Sequence, residues 1–142
     1  MNQTQNSLIK ILALFLYASP LAYAENVLSP ELAFKPSLTR VGDKVSIQFD
    51  IEPNYYLYRN KMSVEVDGVP LLISPVFSTN TEVKNDKFLG QQLIYKKQAH
   101  INLLLQSSTA SPNIKIKAQG CAYKIGVCYA PFYFKWQGNQ RI

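Results

Sequence analysis

Cysteine, histidine and charged side chains are all scarce in this chain of 142 residues. It has two Cys, one His and 17% charged residues. Two closely spaced cysteines and the lone His100 make a poor set of metal ligands. The sequence also lacks a nucleophile-elbow motif and paired carboxylates in a shared motif, so a hydrolase has almost no support. We therefore expect neither a metal nor a cofactor.

Long apolar runs are absent after the first residues of the chain. The first 24 residues combine a basic flank at Lys10, a short apolar run and a small-x-small triplet that ends at Ala24. This pattern is typical of a secretory signal peptide cleaved after Ala24, because the run is too short to span a bilayer comfortably. An uncleaved anchor is the alternative. We expect residues 25–142 to form one exported domain without stable membrane insertion.

The net charge is +6 for the whole chain, but the basic residues are scattered along it. Nucleic-acid binding needs a concentrated basic stripe, and the sequence has none. We expect no nucleic-acid partner and interpret the charge as solubility with some steering of acidic partners.

Apolar and polar residues alternate with a period of two along most of the chain, which is typical of half-buried strands. No segment after the leader shows a convincing helical stripe. Many short strands separated by turn signals such as Asp67-Gly68 predict an all-β chain folded as an antiparallel β-sandwich. The predicted strands cover residues 44–51, 62–66, 71–73, 99–105, 114–118 and 132–136.

Cys121 and Cys128 lie at the two ends of a predicted hairpin connection. A disulfide between them closes a very small ring, which stabilises a fold less than a link between distant strands. Gly120 and Gly126 supply the backbone freedom that so tight a ring needs. In an exported domain the ordinary interpretation is a structural disulfide. The alternative is a disulfide that is reversibly reduced, which needs an accessible sulfur and protective neighbours.

Three short blocks carry a resemblance to a known family. They are Tyr55-Tyr56-Leu57-Tyr58-Arg59, Asp86-Lys87-Phe88-Leu89-Gly90, and the cysteine segment from Gln119 to Pro131. Together they resemble the N-terminal periplasmic domains of the thiol:disulfide interchange protein DsbD, over roughly residues 32–136. The resemblance implies an immunoglobulin-like β-sandwich in the periplasm, with a protein-disulfide reductase type of activity.

The resemblance also implies a role for each cysteine. Cys128 resembles the cysteine that forms a mixed disulfide with partners, and Cys121 resembles the one that resolves it. The segment from Asp86 to Gly90 resembles a cap loop, in which Phe88 is an aromatic lid over the disulfide.

The remaining site residues are assigned in the same way. Asp86 resembles an acidic group near the sulfurs, whereas Lys87 stands where the family commonly has an acid. Leu89 and Gly90 complete the cap loop. Tyr56 and Tyr58 resemble tyrosines that line the active site. Apart from the resemblance, the aromatic rings of Tyr123 and Tyr129 beside the cysteines are expected to shield the sulfurs.

The resemblance implies transient mixed disulfides with thioredoxin-like proteins. Domains of this family take reducing equivalents from a thioredoxin-like module fed by a membrane segment, and pass them to periplasmic disulfide isomerases and cytochrome c maturation thioredoxins. Neither the membrane segment nor the module occurs in these 142 residues, so we expect a monomer with a separate membrane electron donor. The alternative is an immunoglobulin-like binding module with an inert disulfide, which contacts its partner through Tyr123, Tyr129 and Tyr133.

Overall fold

The computed structural model describes residues 26–67, 71, 73–106 and 111–142. The predicted signal peptide, Gly68 of the predicted turn and residues 107–110 of a predicted loop lie outside these ranges.

Strands dominate the described residues. One short helix, α1, covers Pro30–Phe34, and a single 3-10 turn covers Arg59–Lys61. The strands are β1 Pro36–Val41, β2 Lys44–Asp50, β3 Tyr55–Tyr58, β4 Ser63–Asp67, β5 Val76–Phe77, β6 Glu82–Asp86, β7 Gly90–Tyr95, β8 Gln98–Leu104, β9 Asn113–Ala118, β10 Gly120–Ala122, β11 Val127–Cys128, β12 Phe132–Gln137 and β13 Gln140–Arg141.

The strands form three antiparallel groups. Their orders are β1-β2-β8-β5, β11-β10-β3-β7-β6 and β13-β12-β9-β4. The predicted all-β, immunoglobulin-like antiparallel sandwich is therefore confirmed. No helix in the described ranges is long and apolar enough to cross a membrane.

Alternation explains how the central strands pair. Val45, Ile47 and Phe49 of β2 are buried, whereas the residues between them are partly exposed. The antiparallel register with β8 sets Ile47 opposite Ile101 and Phe49 opposite Ala99. Because side chains alternate between the two faces of a strand, this register lines one face of both strands with apolar groups.

The core extends to the helix that precedes β1. Pro30 suits the first turn of α1, because the N–H that proline lacks has no partner inside a helix. Lys35 ends the helix in the left-handed conformation, with φ 31°. Phe34 is fully buried and stacks on Phe132 of β12, with ring centroids 5.3 Å apart. The helix was not predicted, since five residues are too few to show a helical period.

The predicted strand at 71–73 can be compared only at its two ends, since Leu72 lies outside the described residues. Leu71 makes only an isolated bridge to Leu105, and Ile73 lies in a bend with 55% of its surface exposed.

Candidate redox site

Strand β3 buries side chains on both of its faces. Tyr55 and Leu57 belong to the main core. Tyr56 and Tyr58 point to the other side of the sheet, since successive side chains of a strand alternate. There they form a second, smaller cluster, here called the outer cluster. Its members are Tyr56, Tyr58, Ile94 and Cys121.

The two cysteines form a disulfide at the edge of the same sheet. Strands β10 and β11 are a hairpin in which Cys121 is directly opposite Cys128, and the S–S distance is 2.08 Å. Gly126 occupies the turn with φ 75°, a conformation that residues with a Cβ rarely adopt. Strand β10 also pairs with β3, which sets Cys121 opposite Tyr56. Tyr56 and Tyr58 of β3 therefore pack in one cluster with Cys121, on the side of β10 that faces the middle of the sheet.

The two cysteines differ in exposure. Cys121 is 1% exposed, whereas Cys128 lies on the edge strand and is exposed. Thiol–disulfide exchange requires an approaching sulfur to reach one sulfur of the bond. The arrangement therefore presents the side of Cys128 to an incoming thiolate and encloses Cys121.

A chain of hydroxyl groups connects the buried sulfur to a carboxylate. The Tyr58 hydroxyl oxygen lies 3.6 Å from Sγ of Cys121 and donates to Oδ2 of Asp86 at 2.8 Å. The Tyr56 and Tyr58 hydroxyl oxygens are 3.0 Å apart. Since Tyr58 gives its single proton to Asp86, Tyr56 is the donor in this pair. Among the described residues, no buried side-chain N or O atom lacks a partner.

This environment keeps the Tyr58 hydroxyl protonated. Burial raises its pKa well above the ordinary tyrosine value, and the hydrogen bonds with Tyr56 and Asp86 raise it further. A hydroxyl that stays protonated remains available as a hydrogen-bond donor beside the sulfur.

Asp86 fixes the loop between β6 and β7. Its Oδ1 accepts the backbone N–H groups of Phe88 at 2.9 Å and Leu89 at 3.1 Å. These bonds lower the pKa of Asp86, with Phe88 N–H the largest cause, followed by the Tyr58 hydroxyl and Leu89 N–H. Gly90 ends the loop with φ 70°. The structure thus joins the predicted cap loop to Tyr58 through one carboxylate.

The expectation that Phe88 covers the disulfide is not met in this structure. Its side chain is 94% exposed, Leu89 is 45% exposed and Lys87 is exposed. Asp86 binds the loop through the backbone N–H groups of Phe88 and Leu89. These bonds do not hold the Phe88 ring, which extends into solvent.

The Tyr129 ring does not join the outer cluster. It packs against Phe34 and Phe132, with centroids 5.6 Å and 5.8 Å away, and its hydroxyl donates to the Leu28 carbonyl at 2.7 Å. Burial raises the pKa of Tyr129 to about 12. Because the strand alternates after Cys128, its neighbour faces the core and anchors the hairpin instead of shielding the sulfurs.

Gly120 matters for a reason different from the expected backbone freedom. A Cβ at this position would lie 2.3 Å from the Tyr56 carbonyl oxygen and 2.8 Å from Cζ of Phe34. The glycine thus allows β10 to approach β3 closely, which sets the position of Cys121. Ile94 was missed altogether, since an isoleucine in a strand carries no signal of its proximity to a sulfur.

Sequence comparisons identify the family of the chain. The profile of the family described as "Thiol:disulfide interchange protein DsbD, N-terminal" matches residues 24–135. DsbD of Neisseria meningitidis serogroup B is 36% identical over 128 residues, which cover 87% of this chain and 21% of that protein. DsbD of Pectobacterium atrosepticum is 31% identical over 99 residues, covering 70% and 17%. The chain spans about a fifth of the length of the relatives it matches.

Solved structures agree as well. The reduced N-terminal domain of Neisseria meningitidis DsbD superposes with a TM-score of 0.71 at 32% identity, covering 82% of this chain and 92% of that one. The same domain in its complex with the PilB N-terminal domain superposes with a TM-score of 0.69 at 31% identity, covering 84% and 94%.

Proposed function

The chain belongs to the family of DsbD N-terminal domains, and we propose that it is a periplasmic thiol:disulfide oxidoreductase. In this proposal it relays reducing equivalents through Cys121 and Cys128. They come from a thioredoxin-like or membrane-bound donor and pass to periplasmic proteins that contain disulfides.

The different exposure of the two sulfurs carries the proposal. Cys128 is exposed at a sheet edge, and Cys121 is 1% exposed beneath it. An incoming thiolate reaches Cys128 alone, so the mixed disulfide forms there and Cys121 is the leaving group. A purely structural bridge needs no such difference.

Electrons and atoms balance in each direction of the relay. As a reductant, the Cys128 thiolate attacks the acceptor's disulfide, forms the mixed disulfide and releases one acceptor thiolate. The Cys121 thiolate then attacks the Cys128 sulfur, closes the ring and releases the second acceptor thiolate. Two electrons pass to the acceptor, and two protons follow through solvent. A donor dithiol reverses these steps and becomes a disulfide.

Tyr58 and Asp86 support the chemistry at Cys121 in this proposal. When Cys121 leaves as a thiolate, the Tyr58 hydroxyl is 3.6 Å from its sulfur and can turn its single proton from Asp86 towards the new charge. Before that step the bond to Asp86 keeps the hydroxyl in place, and Tyr56 supports the Tyr58 oxygen. Tyr58 therefore stabilises a leaving group that water does not reach, and Tyr56 and Asp86 position Tyr58.

The cap loop is proposed to control access. The hydrogen bond from the Tyr58 hydroxyl to Asp86 joins the loop from Asp86 to Gly90 to the outer cluster. Its exposed Phe88 supplies an apolar surface that closes over the sulfurs between encounters or contacts a docked partner. A hydrophobic cover of this kind excludes unrelated thiols.

Partners and location complete the proposal. A relative binds the PilB N-terminal domain through this fold, which supports thioredoxin-like partners for the present chain. A membrane-bound electron donor, a monomeric state and export to the periplasm with cleavage after Ala24 belong to the same proposal. The mass of the secreted protein measures the cleavage point directly.

Two serine variants test the assigned roles. We expect Cys121→Ser to trap a mixed disulfide with an oxidised thioredoxin-like domain, because the resolving thiol is missing. Cys128→Ser should form none, because its remaining thiol is enclosed. Non-reducing electrophoresis with mass analysis of the adduct reads both. Trapping by both variants to the same extent contradicts the roles.

A redox titration of the domain tests the function itself. Structural disulfides usually have potentials below about −300 mV, whereas thioredoxin-like donors and isomerase-like acceptors lie between about −270 and −180 mV. A Cys121–Cys128 potential near the latter range supports the relay. A bridge that stays closed throughout that range supports the alternative, a binding module with an inert disulfide.

A further inference from the structure

A groove of about 380 Å³ opens beside the outer cluster. The Tyr56 ring forms part of its surface and stacks on the Tyr123 ring of the disulfide hairpin, with centroids 6.2 Å apart. The groove is therefore continuous with the redox site, since Tyr56 is also the cross-strand neighbour of Cys121. Its lining residues are Tyr56, Val83, Lys84, Ile94, Lys96 and Tyr123.

The groove carries two ammonium groups in different situations. Lys96 pairs with Glu82 at 2.7 Å, and both side chains are well exposed. Lys84 is half-buried and lies 5.5 Å from the centroid of the Tyr56 ring. In the part of the chain that the structure describes, Lys84 has no ion pair with a carboxylate. The nearby Asp86 is already bonded to Tyr58 and to two backbone N–H groups.

Exposed apolar side chains are frequent on the two hairpins that contribute most of the groove lining. Among the described residues, six of the twelve exposed large hydrophobic side chains lie on the β6–β7 and β10–β11 hairpins. They are Val83, Phe88, Leu89, Leu93, Tyr123 and Val127. A partner whose sulfur reaches Cys128 covers part of this surface, and the groove lies at its edge.

We propose that this groove is the specificity site of the domain, and that it receives an acidic side chain of the thioredoxin-like partner. The inference rests on the proposed function. Lys84 is the principal ligand of the partner's carboxylate, and Lys96 contributes to the extent that Glu82 releases it. A basic side chain at the same place is repelled, so the groove also fixes the orientation in which a partner docks.

The position of Lys84 explains why it is the principal ligand. The Tyr56 ring face holds the ammonium group at the groove surface, so little side-chain freedom is lost when a carboxylate binds. The Tyr56 and Ile94 side chains that line the groove are almost fully buried, which lowers the local dielectric and strengthens the pair. Lys96 is exposed and already paired, and exposed pairs contribute little.

Two synthetic dithiol peptides test the proposal. Each carries one Cys-Xaa-Xaa-Cys motif, and they differ only in two flanking residues, Glu in one and Gln in the other. The measurement is the second-order rate of reduction of the oxidised domain at low ionic strength, by thiol trapping and mass analysis. We expect the Glu peptide to react about threefold faster with the wild-type domain. A substitution that changes the general reactivity of the disulfide changes both rates by the same factor, so it leaves their ratio unchanged.

Three variants separate the groove from general electrostatic steering. Lys84→Gln should bring the ratio close to one. Lys97→Gln removes the same charge from the neighbouring turn, outside the groove lining, and should keep the wild-type ratio. Glu82→Gln should raise the ratio, because Lys96 then loses its ion pair with Glu82 and its ammonium group can bind the carboxylate of the peptide.

The possible failures are distinguishable. A domain that reacts equally with both peptides, or a Lys97→Gln variant that loses as much preference as Lys84→Gln, overturns the groove proposal alone. A disulfide that neither peptide reduces overturns both this proposal and the relay.

Discussion

The two faces of strand β3 bury their side chains equally well but for different purposes. Tyr55 and Leu57 face the main core, where Leu57 is fully buried among apolar side chains. Tyr56 and Tyr58 face the outer cluster and are 3% and 2% exposed. On this second face two hydroxyl groups and a sulfur are enclosed together with a single aliphatic side chain.

The difference shows how a sheet can stabilise a fold and position a reactive group at the same time. Apolar contacts of the inner face are non-directional, so they determine stability more than geometry. Buried hydroxyls must find partners, so those of the outer face determine geometry. Tyr56, Tyr58 and Asp86 are fixed relative to each other by hydrogen bonds of 2.8 and 3.0 Å. Cys121 takes its place against this rigid group.

Truncation on the inner face should have the largest effect on stability. We expect Leu57→Ala to reduce the free energy of unfolding by about 2–5 kcal/mol, because it leaves a cavity in a closed core. Tyr58→Phe is the matched variant on the outer face, and should cost about 1 kcal/mol for the lost hydrogen bond. Urea unfolding of the oxidised domain measures both. Equal losses contradict the division between the two faces.

A second variant acts on both faces at once. Gly120→Ala places a methyl group against the Tyr56 carbonyl and the Phe34 ring, so we expect a loss of about 1–3 kcal/mol. The strand must also shift Cys121, and thiol–disulfide exchange should slow. Gly42→Ala is the control, since its Cβ meets nothing within 4 Å although φ is 61°. It should cost about 1 kcal/mol and leave the exchange rate unchanged. A Gly120→Ala domain with wild-type stability and rate shows that the close approach does not matter.

The sequence predicted the inner face much better than the outer one. Alternation identified β2, β4, β8, β9 and β12, because apolar residues alternate with more exposed polar ones along each. It did not identify β3, whose four residues are all buried, nor the β6–β7 hairpin, whose strands are largely exposed. A period-two pattern is informative only where one face of the strand is buried and the other is exposed to solvent.

The site residues show the same limit. Cys121 and Cys128 attract attention by their chemistry, and the resemblance added Tyr58 and Asp86. The exposure of the Phe88 ring and the packing of Tyr129 against the core were not predictable, because a sequence motif gives residue types but not the directions of their side chains. The groove lysines belong to strands that only the fold brings next to the cysteines.

Removal of the Tyr58 hydroxyl should slow the exchange chemistry at Cys121. We expect Tyr58→Phe to slow release of Cys121 in the exchange reaction by about tenfold, because a hydrogen bond to a charged group contributes about 1.5 kcal/mol or more. Tyr56→Phe is the matched control, since its hydroxyl reaches the sulfur only through Tyr58, and should slow the reaction less. Stopped-flow reduction by a dithiol measures both. A larger effect of Tyr56→Phe contradicts the proposed order of the hydroxyl chain.

The smallest expected effect is the dependence of stability on Asp86 and pH. Hydrogen bonds from Phe88 N–H, Tyr58 and Leu89 N–H lower the native pKa of Asp86 below its unfolded value of about 3.9. The stability it contributes is therefore complete above that unfolded pKa, and is lost as pH falls through the lower native pKa. We expect the difference in unfolding free energy between wild type and Asp86→Asn to be constant at neutral pH and to shrink only in acid.

A Tyr58→Phe background provides the control for this pH dependence. It removes one of the three hydrogen bonds that Asp86 accepts, so the native pKa of Asp86 should rise towards the ordinary value. The acid loss should then begin at the same pH, which the unfolded pKa sets, but end at a higher pH and be smaller in total. If the two backgrounds give the same curve, the carboxylate serves the cap loop alone. In that case the outer face is not electrostatically connected to the loop between β6 and β7.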